Sequence, residues 1–252
     1  MRLWKWIEEN AGTGKITEVD VANKAIECRS VSELYRGESF GMIAGYKEHG
    51  AIVHYSAKPE TASALKAEGL LLVDTGAQYL DGTTDITRTV WIGDPTLIPD
   101  AVKRDYTLVL KGHIALACAR FPKGTRGNQL DVLARQFLWA EGMTYGHGTG
   151  HGVGHFMGCH EGPQNIRTDN NPNPLQVGNI CSDEPGLYRT NEYGIRIENL
   201  IAVREAKDLG AHTTGETFLE FETLTLCYYD THLMDLSRMT AEEIQWINDY
   251  HA

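Results

Sequence analysis

The chain has 252 residues, 42% hydrophobic and 23% charged, which is enough for one sizeable core and a single catalytic domain over residues 1–252. A formal net charge of -11 excludes the basic surface by which proteins neutralise nucleic-acid phosphates, and no run of about 18 apolar residues is available to cross a membrane. The cysteines, Cys28, Cys118, Cys159, Cys181 and Cys227, are scattered without a C-x-x-C pair and read as reduced thiols of a cytoplasmic protein. The opening segment turns acidic before any apolar stretch, so it does not read as a secretory signal. Leu3, Trp4, Trp6 and Ile7 instead have the spacing of the last turns of an amphipathic helix whose beginning is absent, as in the C-terminal part of a longer protein. Beyond Gly12 and Gly14, Thr17 and Asp20 have capping-box spacing. A helix is expected from there to about Leu34, with Val21, Ala22, Ala25 and Ile26 on its buried face.

Residues 51–55 are an apolar run with one polar insertion, which predicts a strand; residues 70–73 and 86–92 are further strands, joined as a hairpin through Asp81 and Gly82. Pro99 and Asp100 start a long helix carrying Val102, Tyr106, Val109, Leu110, His113 and Ala117 at helical spacing, expected to stop near Pro122 and Gly124. A further helix presents Leu130, Leu133, Phe137 and Leu138 on one face and ends at Gly142. Residues 180–187 and 195–203 form a second hairpin. The order helix, helix, hairpin thus occurs twice without a residue-level repeat. It predicts an α+β fold in which two hairpins share one curved antiparallel sheet, with helices on its outer side.

Asp74 and Asp85 lie on opposite arms of the first hairpin. Pairing about a centre between Tyr79 and Leu80 would set them face to face, about 5 Å apart at Cβ. A turn-adjacent Asp ordinarily caps the turn or faces solvent, and this pair alone does not decide between the readings. The second hairpin does, because Glu184 and Glu198 bracket a turn centred on Asn191 and face each other by the same arithmetic. Four carboxylates gathered in a largely buried place are costly unless cations neutralise them. Between the hairpins, His147, His151, His155 and His160 fall within fourteen residues, separated by glycines that permit close backbone approach. Such a density favours ligation or acid–base work, without showing which histidine binds metal. The same glycines lack the lysine of a phosphate-binding loop. Hard oxygen donors with an imidazole suit Mn, Co or Zn, and a pair of such cations leads more readily to hydrolysis than to redox chemistry.

The stretches Val73 to Tyr79 and Gly82 to Thr89, then His147 to Pro163, Ser182-Asp183-Glu184-Pro185-Gly186 and Gly194-Ile195-Arg196-Ile197-Glu198-Asn199 resemble, in order and spacing, the motifs of aminopeptidase P, the Xaa-Pro aminopeptidase family. Phe221 to Leu226 and the ending Trp246-Ile247-Asn248-Asp249-Tyr250-His251 are similar to the tail of its longer, cytosolic-type members, so the resemblance covers nearly the whole chain. It implies the pita-bread (creatinase/aminopeptidase) fold and hydrolysis of the bond between an N-terminal residue and a following proline. It implies two divalent metal ions, Mn before Zn or Co, on Asp74, Asp85, His151, Glu184 and Glu198, with Asp85 and Glu198 bridging. Glu184 would double as proton shuttle, His54, His147 and His160 would position substrate and stabilise the tetrahedral intermediate, and Arg196 would orient a ligand carboxylate. The partner implied is a peptide with proline second; a homodimer is compatible. His155 receives no role. Prolidase or methionine aminopeptidase activity on the same fold, and a binding module without activity, are the alternatives. Family members carry further domains ahead of this region, and the expectation that the chain lacks them leaves metal binding better supported than turnover.

Overall fold

The structure is a computed structural model and describes residues 2–207, 209 and 214–252. Helix α1 (Arg2–Asn10) buries Trp4 and Ile7, as its spacing predicts. Helix α2 (Glu18–Arg29) starts on the expected capping box: the Thr17 hydroxyl accepts from the Asp20 amide at 3.3 Å while the Asp20 carboxylate accepts from the Thr17 amide at 2.7 Å. It ends at Arg29, short of Leu34, because the amide of Leu34 bonds to the Ser32 side chain and residues 30–34 fold into turns. Of its expected buried face, Val21 and Ala25 are buried, whereas Ile26 is 36% exposed.

Residues 51–55 are not a strand. The strand lies earlier, at Ile43–Tyr46, and is followed by a 3-10 turn at Lys47–Ala51. Side-chain chemistry overrides the apolar run here. The fully buried Glu18 carboxylate accepts from the Tyr46 amide (2.7 Å), the Tyr55 hydroxyl (2.8 Å) and the Ser63 amide (2.8 Å), and it touches His49 Nδ1 (2.9 Å), so the chain curls around one acid. The backbone of Gly50 is pressed against Gly194, where a Cβ would lie 1.7 Å from the Gly50 carbonyl oxygen.

Leu70–Thr75 pairs antiparallel with Ile43–Tyr46 and with Ile86–Trp91, in the register Leu71↔Val90 and Asp74↔Thr87. Tyr79 pairs with Gly82, so the hairpin centre falls between Leu80 and Asp81, one residue later than assumed. Asp85 therefore lies diagonal to Asp74 rather than opposite it. The register moves by two residues, which preserves the face each side chain points to.

The second half repeats the plan. Helix α3 (Asp100–Ala117) carries all six of its predicted apolar-face residues into the interior. It stops at Ala117, and Arg120–Pro122 is an edge strand rather than the helix end. Helix α4 (Gly127–Ala140) packs on α3 so tightly that a Cβ at Gly112 would lie 2.1 Å from the Ala134 carbonyl oxygen. Ile180–Asp183 pairs with Asn199–Glu205, and Gly186–Arg189 with Tyr193–Arg196; both ladders centre on Asn191, which adopts φ 63°. Phe218–Thr223 extends this sheet, and helix α5 (Ala241–His251) closes the chain against α3 through Ile247. The hairpins meet where Thr89 Oγ1 donates to the Arg196 carbonyl (3.0 Å) and accepts from its amide (3.1 Å), while the Glu198 amide donates to the Thr87 carbonyl (3.0 Å).

Candidate metal centre

The second hairpin is interrupted at its two glutamates. Between the two ladders the Glu184 amide turns away to the Thr149 carbonyl (2.8 Å) and the Glu198 amide to Thr87, so both side chains project from a break in the sheet. The first hairpin breaks at Asp85 in the same way, where Gly76 and Thr84 are so close that a Cβ on Gly76 would lie 2.0 Å from the Thr84 carbonyl oxygen. These breaks face one cavity of about 610 Å³, and all nine residues singled out from sequence line it: His54, Asp74, Asp85, His147, His151, His160, Glu184, Arg196 and Glu198.

Within the cavity, the donor atoms of Asp74, Asp85 and Glu198 lie within 4.8 Å of one another, as do those of His151, Glu184 and Glu198. Glu198 belongs to both sets, and Asp85, His151 and His160 form a third. His151 Nε2 is 3.4 Å from Asp85 Oδ2 and 3.3 Å from Glu184 Oε1. Its Nδ1 lies 2.9 Å from the Gly152 carbonyl, which orients the ring so that Nε2 faces the acids. The Ser182 hydroxyl donates to Glu184 Oε1 at 3.0 Å and accepts from the His151 amide at 2.9 Å, tying two donors to one side chain. Thr87 Oγ1 donates to Glu198 Oε2 at 2.8 Å, and Arg196 Nη2 donates to Asp74 Oδ2 at 2.6 Å.

Burial raises the carboxyls of Asp74, Glu184 and Glu198 above their ordinary range, that of Glu184 to about 7, and their acidic neighbours add to the effect. Burial opposes a charge on His151, yet Asp85 and Glu184 prevail and raise its imidazole to about 9. Asp74 Oδ1 is buried without a hydrogen-bond partner. An orphaned buried carboxylate oxygen, and acids and an imidazole that retain protons while facing one another, are what a donor set for dications looks like without them. The residues fit a pair of hard divalent cations.

The remaining candidates surround this cluster. His147 Nδ1 donates to the Gly148 carbonyl (2.8 Å) and Nε2 accepts from the Tyr188 hydroxyl (2.7 Å), which in turn accepts from Arg196 Nη1 (2.8 Å). Burial, with the Arg196 and Arg135 charges, pushes the His147 imidazole down to about 4. His160 sits edge-on to His151 at 4.2 Å between centroids, and His54 is exposed on the turn after Lys47–Ala51; neither makes a side-chain hydrogen bond with the described residues. His155 is exposed and does not line the cavity. Sequence reasoning missed Tyr188 and Thr87. Thr87 lies two positions from Asp85 and Tyr188 four from Glu184, and that period-two pattern could have found them.

The sequence profile of metallopeptidase family M24 matches residues 1–205, and that of the C-terminal region of peptidase M24 matches residues 217–252. Aminopeptidase P2 of Arabidopsis thaliana is 47% identical over 252 residues, covering 99% of this chain and 35% of its own length. A probable Xaa-Pro aminopeptidase P of Aspergillus niger is 45% identical over 257 residues, covering 100% of this chain and 41% of its own length. The crystal structure of an X-prolyl aminopeptidase from Caenorhabditis elegans, described as a cytosolic enzyme with a di-nuclear active site, superimposes with a TM-score of 0.90 at 40% identity, covering 99% of this chain and 40% of that one. The chain thus spans between 35% and 41% of the length of these relatives. Its α+β architecture is the pita-bread fold, and no helix among the described residues is long and apolar enough to cross a membrane. The chain belongs to metallopeptidase family M24.

Proposed function

We propose that this chain is the catalytic region of a two-metal aminopeptidase that releases an N-terminal residue preceding proline. The observation that carries the reading is the convergence of Asp74, Asp85, His151, Glu184 and Glu198 at one cavity, in a chain 45–47% identical to proteins named aminopeptidase P or Xaa-Pro aminopeptidase P. Two divalent cations held by those five side chains, Mn or alternatively Zn or Co, would polarise the scissile carbonyl and supply a nucleophile at neutral pH. Glu184, held at the cavity by the Ser182 hydroxyl and beside His151 Nε2 at 3.3 Å, is placed to accept a proton and return it to the leaving amine. His54 and His160, which line the cavity and make no side-chain hydrogen bond with the described residues, are placed to hold substrate and to donate to a developing oxyanion. His147 supports the site through Tyr188, and Arg196 fixes both Tyr188 and Asp74. Phe40, Val53 and Tyr55 add an apolar wall to the cavity against which a proline ring can lie.

The test is hydrolysis by the Mn-supplemented chain of Xaa-Pro dipeptides, Xaa-Pro-Yaa tripeptides and Met-led peptides. Tripeptide cleavage before proline is expected. Cleavage of dipeptides alone would make it a prolidase, of Met-led peptides alone a methionine aminopeptidase, and stoichiometric metal binding without any cleavage a binding module. Asp85→Ala is expected to lower turnover at least about 10³-fold, since several kcal/mol of transition-state stabilisation go with the cations; unchanged hydrolysis would rule out this centre.

A further inference from the structure

The C-terminal motif Trp246 to His251 lies outside the cavity, and the chemistry proposed above makes no use of it. It nevertheless ends on the cluster's back wall. Arg88, 1% exposed, projects from the Ile86–Trp91 strand behind Glu198. Its Nη1 donates to the carbonyls of Glu198 (2.6 Å) and Thr87 (2.9 Å). Its Nη2 donates to Asn199 Oδ1 (2.8 Å), the Cys227 carbonyl (2.6 Å) and the Tyr250 hydroxyl (3.0 Å), and Nε donates to the Tyr228 carbonyl (3.1 Å). The Tyr229 ring lies 4.4 Å beneath the guanidinium. Among the described residues Arg88 makes no ion pair. A buried cation without a carboxylate partner depends on the dipoles around it, and the segment 227–250 supplies three of its acceptors and its aromatic face.

The same segment reaches the second glutamate. The Tyr229 hydroxyl accepts from Asn199 Nδ2 (2.8 Å) and lies 3.0 Å from His113 Nε2, while His113 Nδ1 bonds to the Asp183 carbonyl (3.2 Å) and lies 3.1 Å from Asp183 Oδ2. Asn199 and Asp183 pair across the ladder and adjoin Glu198 and Glu184. The Tyr250 hydroxyl also accepts from the Cys227 amide (3.0 Å) and donates to the Thr225 carbonyl (2.7 Å), and its ring stacks on Trp246.

We propose that residues 227–251 act as a clasp that sets Glu198 and Glu184 for metal binding, with Tyr229 and Tyr250 as positioning residues working through Arg88, Asn199 and His113. The proposal rests on reading the acidic cluster as the metal centre. Glu198 is then held at three points, its side chain and amide by Thr87 and its carbonyl by Arg88, and the clasp fixes the third.

Tyr229→Phe and Tyr250→Phe remove one hydroxyl each and leave the packed rings in place. The measurements are Mn affinity of the full chain by calorimetric titration, the visible spectrum of the Co-loaded chain, and the unfolding temperature of the metal-free chain. Each variant is expected to bind Mn about tenfold more weakly and to shift the Co bands, while Tyr228→Phe, whose hydroxyl is outside the network, matches the parent. Parent-like Mn affinity and Co spectra in both variants, with only the unfolding temperature lowered, would show the segment to be packing alone and overturn the proposal. A parent chain that binds no Mn would instead sink the metal reading, and the clasp with it.

Discussion

At the residue scale, the metal-free cluster retains protons that a cation must displace. Burial holds the carboxyls of Asp74, Glu184 and Glu198 above their ordinary range, and the acids raise His151 to about 9. Cations bind the deprotonated donors, so Mn affinity must rise with pH through the raised values and binding must release protons. Mn added to lightly buffered metal-free chain at pH 7 is expected to acidify the solution, with tighter binding at pH 8 than at pH 6. Binding without proton release would show that the donors are ionised before metal arrives. His147 makes the opposite case. Burial pushes it down to about 4, so it is neutral at pH 7, as accepting from Tyr188 requires. Its ring carbon protons, followed by NMR, are expected to titrate near 4; a midpoint near the ordinary 6.5 would mean that the Tyr188 contact is not made in solution.

At the element scale, legibility followed the reach of the interactions. The capping box at Thr17, the helical spacing of α3 and the opposition of Glu184 to Glu198 are fixed by residues near in sequence or by strand alternation, and these could be read directly. The register of the first hairpin differs by two residues from the one its turn residues suggest, which leaves Asp74 and Asp85 on the expected face because strand faces repeat every two residues. Residues 51–55 failed for a different reason. Their conformation is set by Glu18, more than thirty residues upstream in the sequence, and by Gly194 in the other half of the molecule, and no local pattern reports either. That close approach is testable. Gly194→Ala would set a Cβ 1.7 Å from the Gly50 carbonyl oxygen, and the backbone rather than a flexible side chain must yield. A loss of at least about 2 kcal/mol is expected in denaturant titration. His54 follows Gly50 by four residues, so the surviving folded protein should also show a raised KM. Parent stability would mean that the 47–51 turn does not pack on the second hairpin.

At the scale of the whole molecule, the duplicated plan divides the centre between its halves. In the proposed ligand set the first hairpin supplies Asp74 and Asp85 and the second half His151, Glu184 and Glu198, so a bound cation would tie together elements more than sixty residues apart in the chain. A ligand that binds only the native state stabilises it by about 2.7 kcal/mol at a hundred times its dissociation constant. For a chain of this size that corresponds to roughly 5–10 °C in unfolding temperature. Mn is therefore expected to raise the unfolding temperature of chelator-treated protein by about that amount and to slow amide exchange in both hairpins together. Asp85→Asn should abolish the shift with little change in the metal-free unfolding temperature, because it removes a charge from an overcrowded cluster while keeping the side chain's shape. Protection confined to the 180–203 hairpin would mean that the cation is held by the second half alone, and that the acids of the first half serve the fold rather than the metal.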